Sequence, residues 1–166
     1  MKKLLCIASC GLLLLLAGCK KEEPKPQPQP EPQPQEQSLA GNVERPTWTT
    51  TDDYDYTSSM TAVIRVDLKE QYPEAAKDFA VNENDLLAAF VGEDCLGVAE
   101  LVDSLYFLFI NSPKEQAEAA KVSLRYYSTQ YKNLFVAADA FAYVNYDTIG
   151  TYNTPYQPAF VVEESK

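Results

Sequence analysis

Leu86-Leu87-Ala88-Ala89-Phe90-Val91-Gly92-Glu93-Asp94-Cys95-Leu96-Gly97-Val98-Ala99-Glu100-Leu101 decides the fold class of this chain. Two apolar runs too short for helices flank a Gly-Glu-Asp triplet, which reads as a β-hairpin over residues 86–91 and 95–101. The segments around it repeat the message. Met60, Ala62, Ile64, Val66 and Leu68 alternate with Thr61, Val63, Arg65 and Asp67, the period of a strand with one buried face. Leu105-Tyr106-Phe107-Leu108-Phe109-Ile110 is a near-continuous apolar run, as in a strand buried on both sides, and this places Tyr106, Phe107, Phe109 and, from a later strand, Tyr126 in the core.

Residues 122–127 and 132–137, joined by Ser128-Thr129-Gln130, read as a second hairpin, with further strands at 140–145 and 159–162. Residues 71–79 and 113–120 have helix-forming composition, the latter with Pro113 at its start. Neither is long enough to change the class. Seven or eight short strands predict an all-β fold, an antiparallel β-sandwich of immunoglobulin-like or jelly-roll-like type, over residues 41–166.

Upstream the composition changes twice. Lys2 and Lys3 precede an apolar run from Leu4, which closes on Leu16-Ala17-Gly18-Cys19. A basic start, an apolar stretch and small residues at a cut point form a lipoprotein signal over residues 1–18, with cleavage between Gly18 and Cys19 and a diacylglycerol on Cys19. The rival, a retained transmembrane helix, needs roughly 20 apolar residues, and Lys20-Lys21 end the run before that length. Lys21-Glu22-Glu23 resembles the tag that sends Bacteroidetes-type lipoproteins to the outer face of the outer membrane; the other reading is a charged start to a linker. Six of the eleven prolines lie between Pro24 and Pro34, alternating with Lys, Gln and Glu, so residues 19–40 read as an extended polyproline-II spacer.

Losing Lys2 and Lys3 with the signal leaves 12 basic against 24 acidic residues, a net charge of −12 that disfavours nucleic acid and anionic lipid surfaces as partners. Cys6 and Cys10 leave too and Cys19 carries lipid, which makes Cys95 the last thiol and precludes an intrachain disulfide.

Several of these segments together resemble a β-sandwich repeat of Bacteroidetes surface and secreted proteins. They are Met60-Thr61-Ala62-Val63, the string Ala89-Phe90-Val91-Gly92-Glu93-Asp94-Cys95-Leu96-Gly97-Val98-Ala99, Ser123-Leu124-Arg125-Tyr126-Tyr127, and Ile149-Gly150-Thr151 with Pro155. The likeness spans residues 58–162 and implies a sandwich fold and a surface context, with no settled chemistry. Those modules commonly carry Cys-Arg-Gly, whereas Leu96 stands in the arginine position here.

With no histidine, the chain lacks the base of Ser-His-Asp and Cys-His catalysis and the commonest zinc ligand. A carboxylate-dependent glycosidase is the remaining enzymatic alternative. The acids Asp52, Asp53, Asp55, Glu83, Asp85, Glu93 and Asp94 lie instead in turn-like segments, and a non-catalytic role is expected. Cys95, in an apolar strand, reads as a small core residue and not a nucleophile. Asp52-Asp53-x-Asp55 and Asn82–Asp85 offer oxygen ligands without the spacing of a calcium loop, so no cofactor is expected and calcium is a minor alternative.

Eleven tyrosines and one tryptophan suggest rings at a surface, able to stack on sugars or anchor a protein. Trp48, Tyr131, Tyr146, Tyr152 and Tyr156 are the candidate ligand-binding residues, with Tyr54 and Tyr56 in a similar setting. The expectation is a lipid-anchored module on the outer membrane, facing outward, that captures glycan or assembles with other surface lipoproteins. The alternative is an adhesion subunit that pairs through a sheet edge.

Overall fold

The structure, a computed structural model, describes residues 38–50, 58–111 and 120–163. The expected signal, Gly18 and Cys19, the Lys21-Glu22-Glu23 tag, the acids and tyrosines at 52–56 and nearly all of the segment 113–120 lie outside these residues. Ten strands and no helix make up the described fold. They are β1 (Ser59–Ile64), β2 (Leu86–Val91), β3 (Asp94–Val98), β4 (Glu100–Val102), β5 (Leu105–Asn111), β6 (Lys121–Ser128), β7 (Asn133–Ala137), β8 (Phe141–Ala142), β9 (Thr148–Ile149) and β10 (Phe160–Val162).

Two sheets face each other over one core, so the chain is the expected all-β sandwich. The first runs β4-β5-β1-β9 and the second β10-β7-β6-β2-β3, with β8 continuing the line of β7 beside β6. All pairs are antiparallel except β1 with β9, where the chain runs parallel in the register Thr61–Thr148 and Ala62–Ile149. Met60, Ala62, Ile64, Tyr106, Leu108 and Ile110 of the first sheet meet Leu87, Ala89, Leu124, Tyr126 and Phe135 of the second in one apolar cluster. Tyr106 and Tyr126 touch across the interface, their rings 6.1 Å apart.

Several expectations are corrected. The hairpin after Val91 does not continue to Leu101. A bulge at Ala89–Phe90 leaves Leu96 as the extra residue, and such an insertion twists and redirects a strand. Ala99 still donates to the Leu87 carbonyl at 2.8 Å, and then the chain leaves this sheet to form β4 against β5. Asp103 and Ser104 join β4 to β5 with φ of 50° and 65°, the double left-handed step of a two-residue hairpin turn. The outer face of β5 is buried unevenly: Phe109 is 69 % exposed, so its placement in the core is overturned, and Phe107 is half-buried, whereas Leu105 is buried.

Residues 71–79 form turns in place of the expected helix. Pro73 lacks an N–H and pushes Tyr72 away from helical geometry. Only isolated bonds remain, such as Ala76 N–H to the Tyr72 carbonyl at 2.7 Å, while Ala76 and Phe79 plug into the core. The strand expected over 140–145 shrinks to Phe141–Ala142.

Residues 38–50 form a strap on the domain, of which only 38–40 belonged to the expected spacer. Leu39 is buried in the main core, so packing begins ahead of the boundary expected at 41. The strap is pinned to the end of the β6–β7 hairpin, where Gly41 donates to the Tyr131 carbonyl and Val43 to that of Lys132, both at 2.9 Å. It then crosses the outer face of the second sheet: Tyr127 donates to the Val43 carbonyl at 3.2 Å and Arg45 to that of Asn84 at 3.0 Å.

Candidate functional site

The five candidate aromatics do not form one site. Trp48, on the strap, is half-buried and meets Phe90 edge-on with centroids 5.4 Å apart. Tyr131 stacks on Phe79 at 6.2 Å and donates to the Ala75 carbonyl at 3.4 Å; burial, with Asp78 nearby, pushes its hydroxyl pKa up. Tyr156 packs edge-on against Phe141 at 6.0 Å, and its N–H bonds the Val63 carbonyl; burial and then Asp139 raise its pKa. These three hold the fold together.

Tyr146 and Tyr152 are 76 % and 55 % exposed. They sit at different places along β1: Tyr146 N–H bonds Ser59, which starts the strand, whereas Tyr152 Oη donates to Asp103 at 3.4 Å, in the turn beyond its far end.

Phe109 is the surface aromatic that sequence reading missed. Alternation on β1, β5 and β9 sends Met60, Ala62, Leu108 and Ile110 inward, and Ser59, Thr61, Phe109, Asn111 and Thr148 onto the outer face of the first sheet. Two rows cross this face. In one, Phe109 lies opposite Thr61, which lies beside Thr148, and the two threonine hydroxyls are 2.8 Å apart. In the next, Asn111 lies opposite Ser59, whose carbonyl accepts the Tyr146 N–H at 2.9 Å. From Phe109 the surface dips into a groove of about 340 Å³ lined by Thr50, Ser59, Gly97, Val98 and Asn111. That volume falls within the usual range for small-ligand sites. Among the described residues no charged side chain lines it.

Gly97, which lines the groove, is where β3 meets β5. A Cβ there would stand 1.9 Å from the Phe109 carbonyl oxygen, so only a bare backbone lets β3 and β5 approach this closely. On the other side of the platform, Tyr146 holds φ at 61°. A bulky residue in the left-handed region costs about 1–2 kcal/mol where glycine would cost nothing. Beyond the far end of β1 a second cleft, of about 270 Å³, is lined by Arg65, Asp67, Lys69, Phe79, Val81 and Ser104, a mixed-charge surface without an exposed ring.

The remaining chemistry-bearing groups serve the fold. Asp85 is 5 % exposed and accepts four hydrogen bonds: from Tyr126 Oη at 2.5 Å, Thr129 Oγ1 at 2.6 Å, Thr129 N at 2.7 Å and Asn82 N at 2.9 Å. Burial foremost holds the Tyr126 hydroxyl far above its usual pKa, and Tyr106 behaves alike, with the Asp85 charge adding to both. In the same turn Asn82 Oδ1 accepts from Asn84 N at 2.9 Å, a local backbone cap. Among the described residues no three His, Cys, Asp or Glu side chains converge as metal ligands do.

Cys95 is buried, but in a small cluster with Ala88, Phe90 and Trp48 on the outer face of the second sheet and not in the main core. Burial pushes its thiol pKa up, partly opposed by the Gly97 backbone and by Arg125. Arg125 lies 4.4 Å over the Phe90 ring and forks onto Glu93 at 3.1 and 3.2 Å. The sequence placed no cation beside this thiol; the β2–β6 pairing does.

No protein-family model, curated protein or solved structure matches this chain.

Proposed function

We propose that this chain is a lipid-anchored, outward-facing binding module without catalytic activity, which presents its ligand site on the outer face of the four-stranded sheet. The observation that carries the reading is Phe109: a phenyl ring 69 % exposed beside a groove in which no described side chain is charged. Burying such a ring is worth more than burying any other exposed side chain nearby, which makes it the natural anchor of a contact. The acid with the most elaborate surroundings, Asp85, is committed to four internal hydrogen bonds, which speaks for structure over catalysis. Pairing through the β3 edge is the weaker reading, because Cys95, Leu96 and Gly97 are all buried.

The anchor rests on the Leu16-Ala17-Gly18-Cys19 run and outward display on Lys21-Glu22-Glu23. Cys19→Ala should abolish lipid labelling, and alanines at residues 21–23 should preserve the lipid but reduce cleavage by external protease. Cells displaying the full chain should lose capture of fluorescent glycan and protein probes on Phe109→Ala, with unchanged surface amount. Unchanged capture of every bound probe would remove Phe109 from the function.

A further inference from the structure

Residues 38–50 lie on the second sheet without joining it, since none of them belongs to a strand. Their attachments follow one another along the chain. At the entry Leu39 is buried in the main core, and its carbonyl accepts from Asn133 Nδ2 at 3.0 Å. Gly41 sits so close to the same side chain that a Cβ would stand 2.6 Å from its amide carbon. That amide is not free to swing aside, because its Oδ1 accepts from Leu134 N at 2.9 Å. From there the strap crosses β6 and β2 on two side-chain bonds, Tyr127 to the Val43 carbonyl and Arg45 to that of Asn84. It then seats Trp48, the half-buried ring packed against Ala88, Phe90 and Cys95. The sheet order β7-β6-β2-β3 puts the entry and Cys95 on opposite sides of the sheet.

We propose that residues 38–50 open and close as one latch, so that loosening the entry at Gly41 uncovers Cys95 on the far side of the sheet while the two sheets stay closed. The middle of the strap is too lightly held to stand alone. Residues 40–45 are all exposed, and once the entry is lost the attachments left among the described residues are the two side-chain bonds and Trp48. The sheet beneath is built differently. Its strand β2 is paired on both edges, by β3 and β6, and Asp85 at its start accepts four hydrogen bonds. A segment with few buried contacts and solvent-exposed bonds opens at lower free energy than such strands do. Cys95, paired with Phe90 in the register of β2 and β3, is the reporter of that opening, because its sulfur is reachable once Trp48 lifts.

The test uses the full-length chain in detergent micelles, alkylated with iodoacetamide at about pH 8.5, where thiolate forms. The Cys95 sulfur bonds the acetamide carbon as iodide leaves, and peptide mass spectrometry tells this adduct from those at Cys6, Cys10 and Cys19. Below the unfolding transition, labelling of the wild-type chain should be slow. It should rise with urea far less steeply than global unfolding does, since the slope follows the surface exposed and a strap exposes little. Gly41→Ala should speed Cys95 labelling about tenfold and Arg45→Ala about threefold, both keeping the shallow slope. Under the same conditions the amides of β2 and β6 should stay protected from deuterium exchange. Arg45→Ala leaves every packed side chain in place and decides alone if Gly41→Ala does not fold. A wild-type rate in either folded variant, with faster labelling in Trp48→Ala, would show that Trp48 holds its end independently and would overturn the latch. A urea dependence as steep as global unfolding, or labelling of the native chain at the rate of a free thiol, would overturn it as well.

Discussion

Replacing Asp85 by asparagine is the sharpest test of how this sandwich is held together. The two carboxylate oxygens divide the work: Oδ1 accepts both Thr129 groups, and Oδ2 accepts Tyr126 Oη and Asn82 N. Through them Asp85 ties the entry to β2 to the β6–β7 turn and to the central ring of the core. Asparagine keeps one oxygen for Thr129 and turns an N–H₂ toward the other two donors. The Tyr126 hydroxyl can rotate and accept, but the Asn82 N–H cannot. One buried donor left unsatisfied costs about 1–3 kcal/mol, and the surviving bonds lose their charge assistance at roughly 0.5 kcal/mol or more each. The total is about 3 kcal/mol, which for a domain of this size lowers the melting point by about 10 °C. Thermal and urea unfolding of the full-length chain, followed by the emission of Trp48 and by far-UV dichroism, measures it. Tyr126→Phe alone should cost about 2 kcal/mol, and in the Asp85→Asn background less, because the two changes share a bond. A melting point within about 2 °C of wild type for Asp85→Asn, or strict additivity with Tyr126→Phe, would refute the claim that this network locks the fold.

Gly97→Ala should destabilise by about 3 kcal/mol or more, since its methyl group would meet the Phe109 carbonyl at 1.9 Å with backbone on both sides; urea midpoints decide this, and a wild-type midpoint would mean that the sheets do not approach there. Tyr143→Phe should stabilise by about 1 kcal/mol, because the Tyr143 hydroxyl is fully buried without a hydrogen-bond partner; the same denaturation assay reads it. In alkali stability should fall as pH rises through about 9–10, because Cys95, Tyr106, Tyr126, Tyr131 and Tyr156 keep their protons in the folded state above the pH at which the unfolded chain releases them. Tyr106 and Tyr126, the most strongly shifted, contribute up to about 2.7 kcal/mol per pH unit of the slope, and Tyr106→Phe should remove about half of that share.

How far the sequence reveals this molecule depends on whether a feature is local. Period-two alternation over Met60–Ile64 and the Val91-Gly92-Glu93-Asp94 turn state their own structure, because side-chain direction and turn geometry are set within a few residues. The break at Ala99 does not. It depends on a bulge opposite Phe90 and on β5 passing against Gly97, both of which belong to pairings distant in sequence. The Asp103-Ser104 turn was hidden for a related reason: neither residue carries the glycine that usually marks such a turn, and the β4–β5 pairing holds the backbone in place. Phe109 shows the limit for function. In an unbroken apolar run, composition cannot say which alternate residues face water; the register Met60–Ile110, Thr61–Phe109 can, since it links Phe109 to a threonine on the outer face and its neighbours to the core. The tyrosines in polar segments looked exposed, yet Tyr131 and Tyr156 are drawn in by Phe79 and Phe141, partners far away along the chain. A polar neighbourhood in sequence thus reports where a backbone turns, whereas exposure of a ring is settled by what packs over it.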